Sequence, residues 1–177
     1  DTITTGSGAD VLIGGAGDDT LSGGYVPAVG PKYEVTLTGG ASALVANGDN
    51  ITIAGVTITA AALPGAFNAA SATNQIATGA DADQVGAMFA SVSLATWQTA
   101  LQTAGMSAAE AGSLTSVTYD AVSNKLTFTH NNSTNASTID ITDYQPAAPN
   151  LVGGTITATE AFTAFTAAVN TADTYVF

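Results

Sequence analysis

The sequence predicts a mainly β, α+β chain in which a short stack of parallel three-residue strands is interrupted by an inserted α+β domain. Three observations predict it. Asp1, Asp10 and Asp19 recur at nine-residue spacing, each followed two places on by a large apolar residue, Ile3, Leu12 and Leu21. The pattern stops at Gly24, and its second half returns at the far end as "ADTYVF". Between the two lies a long segment of alternating strands and helical stripes that carries no repeat.

The composition supports a packed chain of unusual surface. Hydrophobic residues make up 46% of the 177 residues, but charged ones only 9%, against about 25% in an average soluble domain. Hydroxyls and amides must therefore wet most of the surface. Fourteen carboxylates against Lys32 and Lys125 give a net charge of -12. Such a chain has nothing with which to neutralise nucleic acid phosphates, and it either repels itself or binds cations. With no cysteine, neither a disulfide framework nor a thiolate zinc site is available. The longest unbroken apolar runs, such as "AAAL" at 60–63, are too short to span a membrane. No charged-then-apolar leader is visible, and both ends fall in mid-repeat, so a fragment of a longer array is expected.

In its nine-residue frame the opening stretch reads "TGSGADVLI", then "GGAGDDTLS", then "GG". Glycines recur at Gly6 and Gly15 and at Gly8 and Gly17. They let the backbone take positive φ and turn sharply, pointing main-chain carbonyls inward. A carboxylate closing the turn adds formal charge, and Ca²⁺ takes an all-oxygen shell of six to eight such ligands. The three residues after each aspartate form a short strand whose central side chain faces the core. Asp18, at a variable position, is expected in solvent. The stretch resembles the RTX nonapeptide family, G-G-x-G-x-D-x-U-x with U apolar, whose repeats wind into a calcium-binding parallel β-roll. Residues 14–22 fit without a fault; the preceding repeat has Thr5 in place of the first glycine. The resemblance implies two repeats per coil, with Asp1 and Asp19 facing one calcium row and Asp10 the other. It also implies that Gly6, Gly8, Gly15 and Gly17 supply the turns.

Gly23 and Gly24 open a third repeat, and Asp173, Thr174, Tyr175 and Val176 complete it. The expected organisation is therefore an RTX β-roll at 1–24, an inserted α+β domain at 25–171, and the resumed repeat at 172–177. Asp173 then finishes the turn begun by Gly23 and stacks on the Asp10 turn. A turn tip tolerates such an insertion, provided the two ends of the guest lie close together. The alternative reading makes "ADTYVF" a terminal strand of the inserted domain.

Within the insert, "YVPAVGPK" (25–32) reads as a linker and "YEVTLTG" (33–39) as a strand. "NITIAGVTIT" (50–59) is a hairpin about Ala54-Gly55. Helices are expected over 81–90, with Asp81 as cap and Val85, Met88 and Phe89 on one face, and over 93–105. The second runs from Ser93 to Gly105 with Leu94, Trp97, Leu101 and Ala104 as its stripe. "SAAE" (107–110) is a capping box that opens a third. Residues 115–130 form a hairpin that sets Val117 and Tyr119 opposite Leu126 and Phe128. A strand is expected at 137–142. Last comes a helix at 157–169, with a Thr157–Glu160 capping box and a Phe162, Phe165, Val169 stripe.

Nothing in the insert reads as an active site. His130, the single histidine, lacks a G-x-S-x-G partner and is expected as an ordinary surface or packing residue. Asp81 and Asp83 are either cation ligands or helix caps. "NGDN" (47–50) is a turn or a metal loop, and Asp140 and Asp143 are further ligand candidates beside the expected strand. The expected protein is thus no enzyme. Its resemblance implies a calcium-dependent, type I-secreted bacterial surface protein of the S-layer type, self-assembling with identical subunits. A cell-surface polysaccharide or another surface ligand is a further expected partner. An RTX adhesin or biofilm-matrix protein, and the non-catalytic repeat region of a secreted hydrolase or toxin, are the alternatives.

Overall fold

A computed structural model describes the chain except for residues 6–8, 40–42, 63–72, 132–137, 171–173 and 177. Strands predominate over helices, as expected. The chain divides into two compact units, one of Asp1–Val29 with Thr166–Phe177 and the other of Gly30–Phe165.

The first unit holds β1 (Thr2–Thr4), β2 (Val11–Ile13), β3 (Thr20–Ser22), β4 (Tyr25–Val26), β13 (Val169–Asn170) and β14 (Thr174–Val176). β1 pairs in parallel with β3, setting Ile3 opposite Leu21, and β2 pairs in parallel with β14, setting Leu12 opposite Tyr175. Each strand within 1–24 thus neighbours a strand of the same phase rather than the next one along the chain. Period-two burial follows: Leu12 is 1% exposed, whereas the flanking Val11 and Ile13 are 67% and 62% exposed. β4 and β13 pair antiparallel, and a bridge joins Val29 to Thr166 through bonds of 2.8 and 2.9 Å. The outgoing and returning segments of chain therefore lie side by side. Because of this ladder the second unit begins at Gly30 and ends at Phe165, inside the 25–171 limits expected from the repeat pattern.

The second unit contains β5 (Lys32–Thr38), β6 (Asn50–Ile53), β7 (Val56–Ala61) and β8 (Thr73–Ala77). It continues with α1 (Ala82–Ser91), α2 (Leu94–Ala104), α3 (Ala108–Gly112), β9 (Leu114–Asp120) and β10 (Lys125–His130). It ends with α4 (Ile141–Tyr144), a 3₁₀ turn at Gln145–Ala147, β11 (Asn150–Val152) and β12 (Thr157–Thr163). Two four-stranded sheets result. One has the order β12-β5-β10-β9 and is antiparallel throughout; the other has the order β11-β6-β7-β8, with β7 and β8 parallel. A single apolar core joins them, drawing on Val35, Ile53 and Phe128 from the sheets and Phe89 and Trp97 from the helices. Trp97 stands edge-on to Phe128 with centroids 4.9 Å apart, a favoured aromatic geometry.

Local signals account for most of these elements. The Asp81 side chain accepts from Gln84 N and the Ser93 side chain from Thr96 N, and Ser107 and Glu110 form a reciprocal capping box, satisfying N–H groups that a helix start leaves free. Gly105 ends α2 at φ 118°, as a left-handed C-terminal glycine does. Ala54 (φ 47°) and Gly55 (φ 80°) turn the β6–β7 hairpin with two left-handed residues, the twist that matches the strands they join. In the β9–β10 hairpin Val117 lies opposite Phe128 and Tyr119 opposite Leu126.

Several expectations fail: Leu94, placed on the apolar stripe of α2, is 37% exposed, and residues 25–32, read as a linker, carry β4 and the Val29 bridge. The described part of 137–142 is no strand: Asp140 caps the short helix α4, Asp143 returns the capping bond, and Pro146 follows. The helix expected at 157–169 is the strand β12, antiparallel to β5, with Phe162 opposite Tyr33. Ala158, Glu160 and Phe162 are half-buried and their neighbours are exposed, a period of two that Thr-rich sequence favours. Glu160, read as a capping residue, instead accepts a bond from the Tyr33 hydroxyl. Phe165 lies beyond the strand and Val169 falls in β13.

The glycines at 55 and 79 separate backbone strain from crowding. Both have positive φ, but a Cβ at Gly55 meets Ala100 O at 3.0 Å while one at Gly79 meets nothing within 4 Å. Gly79→Ala should lose about 1–2 kcal/mol from the left-handed conformation alone, and Gly55→Ala measurably more. Urea unfolding followed by Trp97 emission compares them; equal losses would remove the Ala100 contact as a constraint.

Candidate calcium-binding turns

The turn between β2 and β3 is built by glycines with two different tasks. Gly15 (φ 86°) and Gly17 (φ 125°) occupy backbone conformations that side chains disfavour, with open space where a Cβ would stand. Gly14 serves by its size: a Cβ there would lie 2.8 Å from Asp19 Oδ2. Asp19 is folded back over Gly14, and its side chain is only 7% exposed, against 86% for that of Asp1.

The β1–β3 pairing brings Asp1 and Asp19 together. Thr20 N–H donates to Asp1 O at 2.7 Å, and Thr5 N–H to Ser22 O at 3.1 Å. The Asp1 backbone nitrogen lies 2.7 Å from Asp19 Oδ1 and 3.2 Å from Asp18 O. The Asp19 carboxylate and the main-chain carbonyls of the turn are hard oxygen donors of the kind that Ca²⁺ takes. On this donor chemistry the turn fits the ion. Asp10 is half-buried and leads directly into β2, where Gly14 N–H donates to Val176 O at 3.1 Å. Gly24 is buried immediately before β4. Gly6, Gly8 and Asp173 lie outside the described residues.

Residues 1–24 match the RTX calcium-binding nonapeptide repeat (4 copies). A calcium-binding RTX repeat is therefore present in the first unit. No curated protein and no solved structure matches the chain.

Gly14 was not among the expected RTX ligands or supports. The first glycine of the faultless repeat signalled Gly14, but its purpose emerges only when Asp19 lies across it. A main-chain carbonyl has no sequence signature at all. Among the described residues no three His, Asp or Glu side chains gather where they could hold a metal ion.

The carboxylates singled out in the insert are otherwise engaged. Asp81 caps α1, and Asp83 accepts from the Tyr119 hydroxyl at 2.7 Å. Asp49 accepts from Val45 N and Ala46 N at 2.9 and 2.8 Å, making 47–50 a tied turn. Asp140 accepts from Thr142 N at 2.7 Å and Asp143 from Asp140 N at 2.8 Å. The Thr142 bonds hold the Asp140 carboxyl below its usual range, whereas burial pushes that of Asp143 up.

His130 is a packing residue rather than a surface one. Its ring is 2% exposed, with Ser113 Oγ 2.7 Å from Nδ1 and the Tyr144 hydroxyl on Nε2. Ser113 and Tyr144 are themselves buried, so the serine faces the core.

Leu12 and Ile13 test the stacking of the first unit. Leu12→Ala should cost about 2–5 kcal/mol, as buried Leu truncations do, and Ile13→Ala less than about 0.5 kcal/mol. Amide hydrogen exchange at Thr5, Gly14 and Thr20, which bond across the stacks, reports the loss. Equal protection in the two variants would contradict the inward placement of Leu12.

Proposed function

We propose that the chain is a calcium-dependent structural segment of a secreted bacterial surface protein, of the S-layer type. The observation that carries this reading is the parallel pairing of β1 with β3 in the stretch that matches the RTX repeat, with Asp19 folded back over Gly14 in the turn between the strands. Without calcium, the carboxylates of Asp1, Asp10 and Asp19 in a chain of net charge -12 oppose closure of the turns. Calcium offsets that repulsion, and its binding free energy becomes folding free energy. A chain exported from a low-calcium cytosol folds where the ion is plentiful.

In this reading Asp1, Asp10 and Asp19 bind calcium together with main-chain oxygens of Gly6, Gly8, Gly15 and Gly17. Gly24 and Asp173 belong to the repeat that the second unit interrupts. That second unit is carried as an insertion and makes the lateral contacts with identical subunits or with a surface polysaccharide.

Asp10→Ala and Asp19→Ala should each raise the calcium midpoint for folding by about tenfold or more, equivalent to about 1.4 kcal/mol. His130→Ala should leave that midpoint unchanged. Circular dichroism during a calcium titration measures all three, and identical wild-type curves with and without chelator would sink the calcium reading. Electron microscopy after calcium addition tests the assembly. Ordered two-dimensional sheets support the S-layer role; single molecules at saturating calcium refute it and favour the adhesin or the toxin and hydrolase repeat region.

A further inference from the structure

His130 ends β10 at the place where the chain first enters the second unit. Its N–H donates to Pro31 O at 3.0 Å, and Asn131 N–H donates to Ser113 O at 2.8 Å. A Cβ on Gly30 would lie 2.1 Å from His130 O and 2.5 Å from Asn131 O. The incoming strand is therefore laid directly on the backbone of residues 130 and 131.

The His130 ring holds a hydrogen-bond chain that accommodates one proton arrangement, assigned from its partners. Ser113 Oγ donates to Glu110 O at 2.7 Å, so its oxygen accepts from Nδ1–H of His130 at 2.7 Å. Nε2 is left as the acceptor and receives the Tyr144 hydroxyl. A second ring proton, on Nε2, would require the Tyr144 hydroxyl to accept and to turn its own proton toward the core. Tyr144 is fully buried and stacked on Tyr33 with centroids 4.0 Å apart, and the Tyr33 hydroxyl is already committed to Glu160.

The charged groups around this chain do not supply a contacting counter-ion. From α3 comes Glu110, whose carboxylate accepts from Ser107 N and Thr138 Oγ1. From α4 come Asp140 and Asp143, bonded to each other's helix start, and from β12 comes Glu160, behind Tyr33. β9 sets the apolar Leu114 opposite His130.

We infer that His130 is an acid-sensitive latch on the root of the second unit, whose protonation breaks the Ser113–His130–Tyr144 chain and frees the Pro31 tie. Burial pushes the ring from 6.5 down to about 4, opposed by its contact with the Glu110 carbonyl and charge. The unfolded chain therefore takes up the proton first. Stability is complete above pH 6.5 and is lost as the pH falls toward 4. Glu110 and Asp140, with carboxyls held low, lose their contribution only at more acid pH, and the raised Asp143 acts in the opposite direction.

The test uses the full chain in saturating calcium, with the buried Trp97 as sole tryptophan reporter of the second unit. Between pH 7 and 4.5 the wild-type folding constant should fall by roughly sixtyfold, and His130→Gln should abolish that fall. The single ring resonance in the folded protein should stay neutral above pH 5, and at that pH the His130 and Asn131 amides should exchange before those of β6 and β7. A ring that titrates near 6.5, or parallel curves for the two proteins, overturns the latch. If His130→Gln does not fold, the wild-type ring titration and amide exchange decide alone.

Discussion

A three-residue strand cannot bury its own apolar side chain, and the first unit depends on finding it a neighbour. That neighbour is never the next strand along the chain. Ile3 lies opposite Leu21 and Leu12 opposite Tyr175 in register, so an isolated repeat has no partner for its backbone. Few apolar contacts form at each step, and acidic residues recur at every turn. On the proposed reading, the binding free energy of a cation at these turns adds to the folding free energy of the stack.

The two units use carboxylates in opposite ways. In the second unit Asp49, Asp81 and Asp140 tie down N–H groups of turns and helix starts, work that needs no metal. Glu34 pairs with Lys125 at 3.3 Å, and Glu160 receives a phenol. In the first unit Asp19 is pressed against Gly14. The same residue type thus serves as internal cap in one unit and, in the proposed function, as calcium ligand in the other.

Elements set by near neighbours were legible in the sequence. The caps at Asp81, Ser93 and Ser107, the Gly105 stop and the Ala54-Gly55 hairpin all depend on residues within one turn of chain. What failed depended on distant partners. "TATE" satisfies the capping-box pattern as readily as it alternates along a strand, and the open edge of β5 decides between them. The aspartates at 140 and 143 resembled ligands because their pairing across a four-residue helix carries little periodic signal. Burial of His130 was equally hidden, since Ser113 and Tyr144 converge on it only after α3 and α4 have packed.

The ladder of β4 with β13 makes a long detour return to its starting point. Between Gly24 and Thr174 the chain travels through the whole second unit, yet Thr174 resumes opposite Val11 and Tyr175 opposite Leu12, in phase with the earlier repeats. The detour adds contour length without adding a step to the coil. With its ends held together in this way, the excursion leaves the phase of the parallel strands on either side of it the same, whatever the length of chain between them.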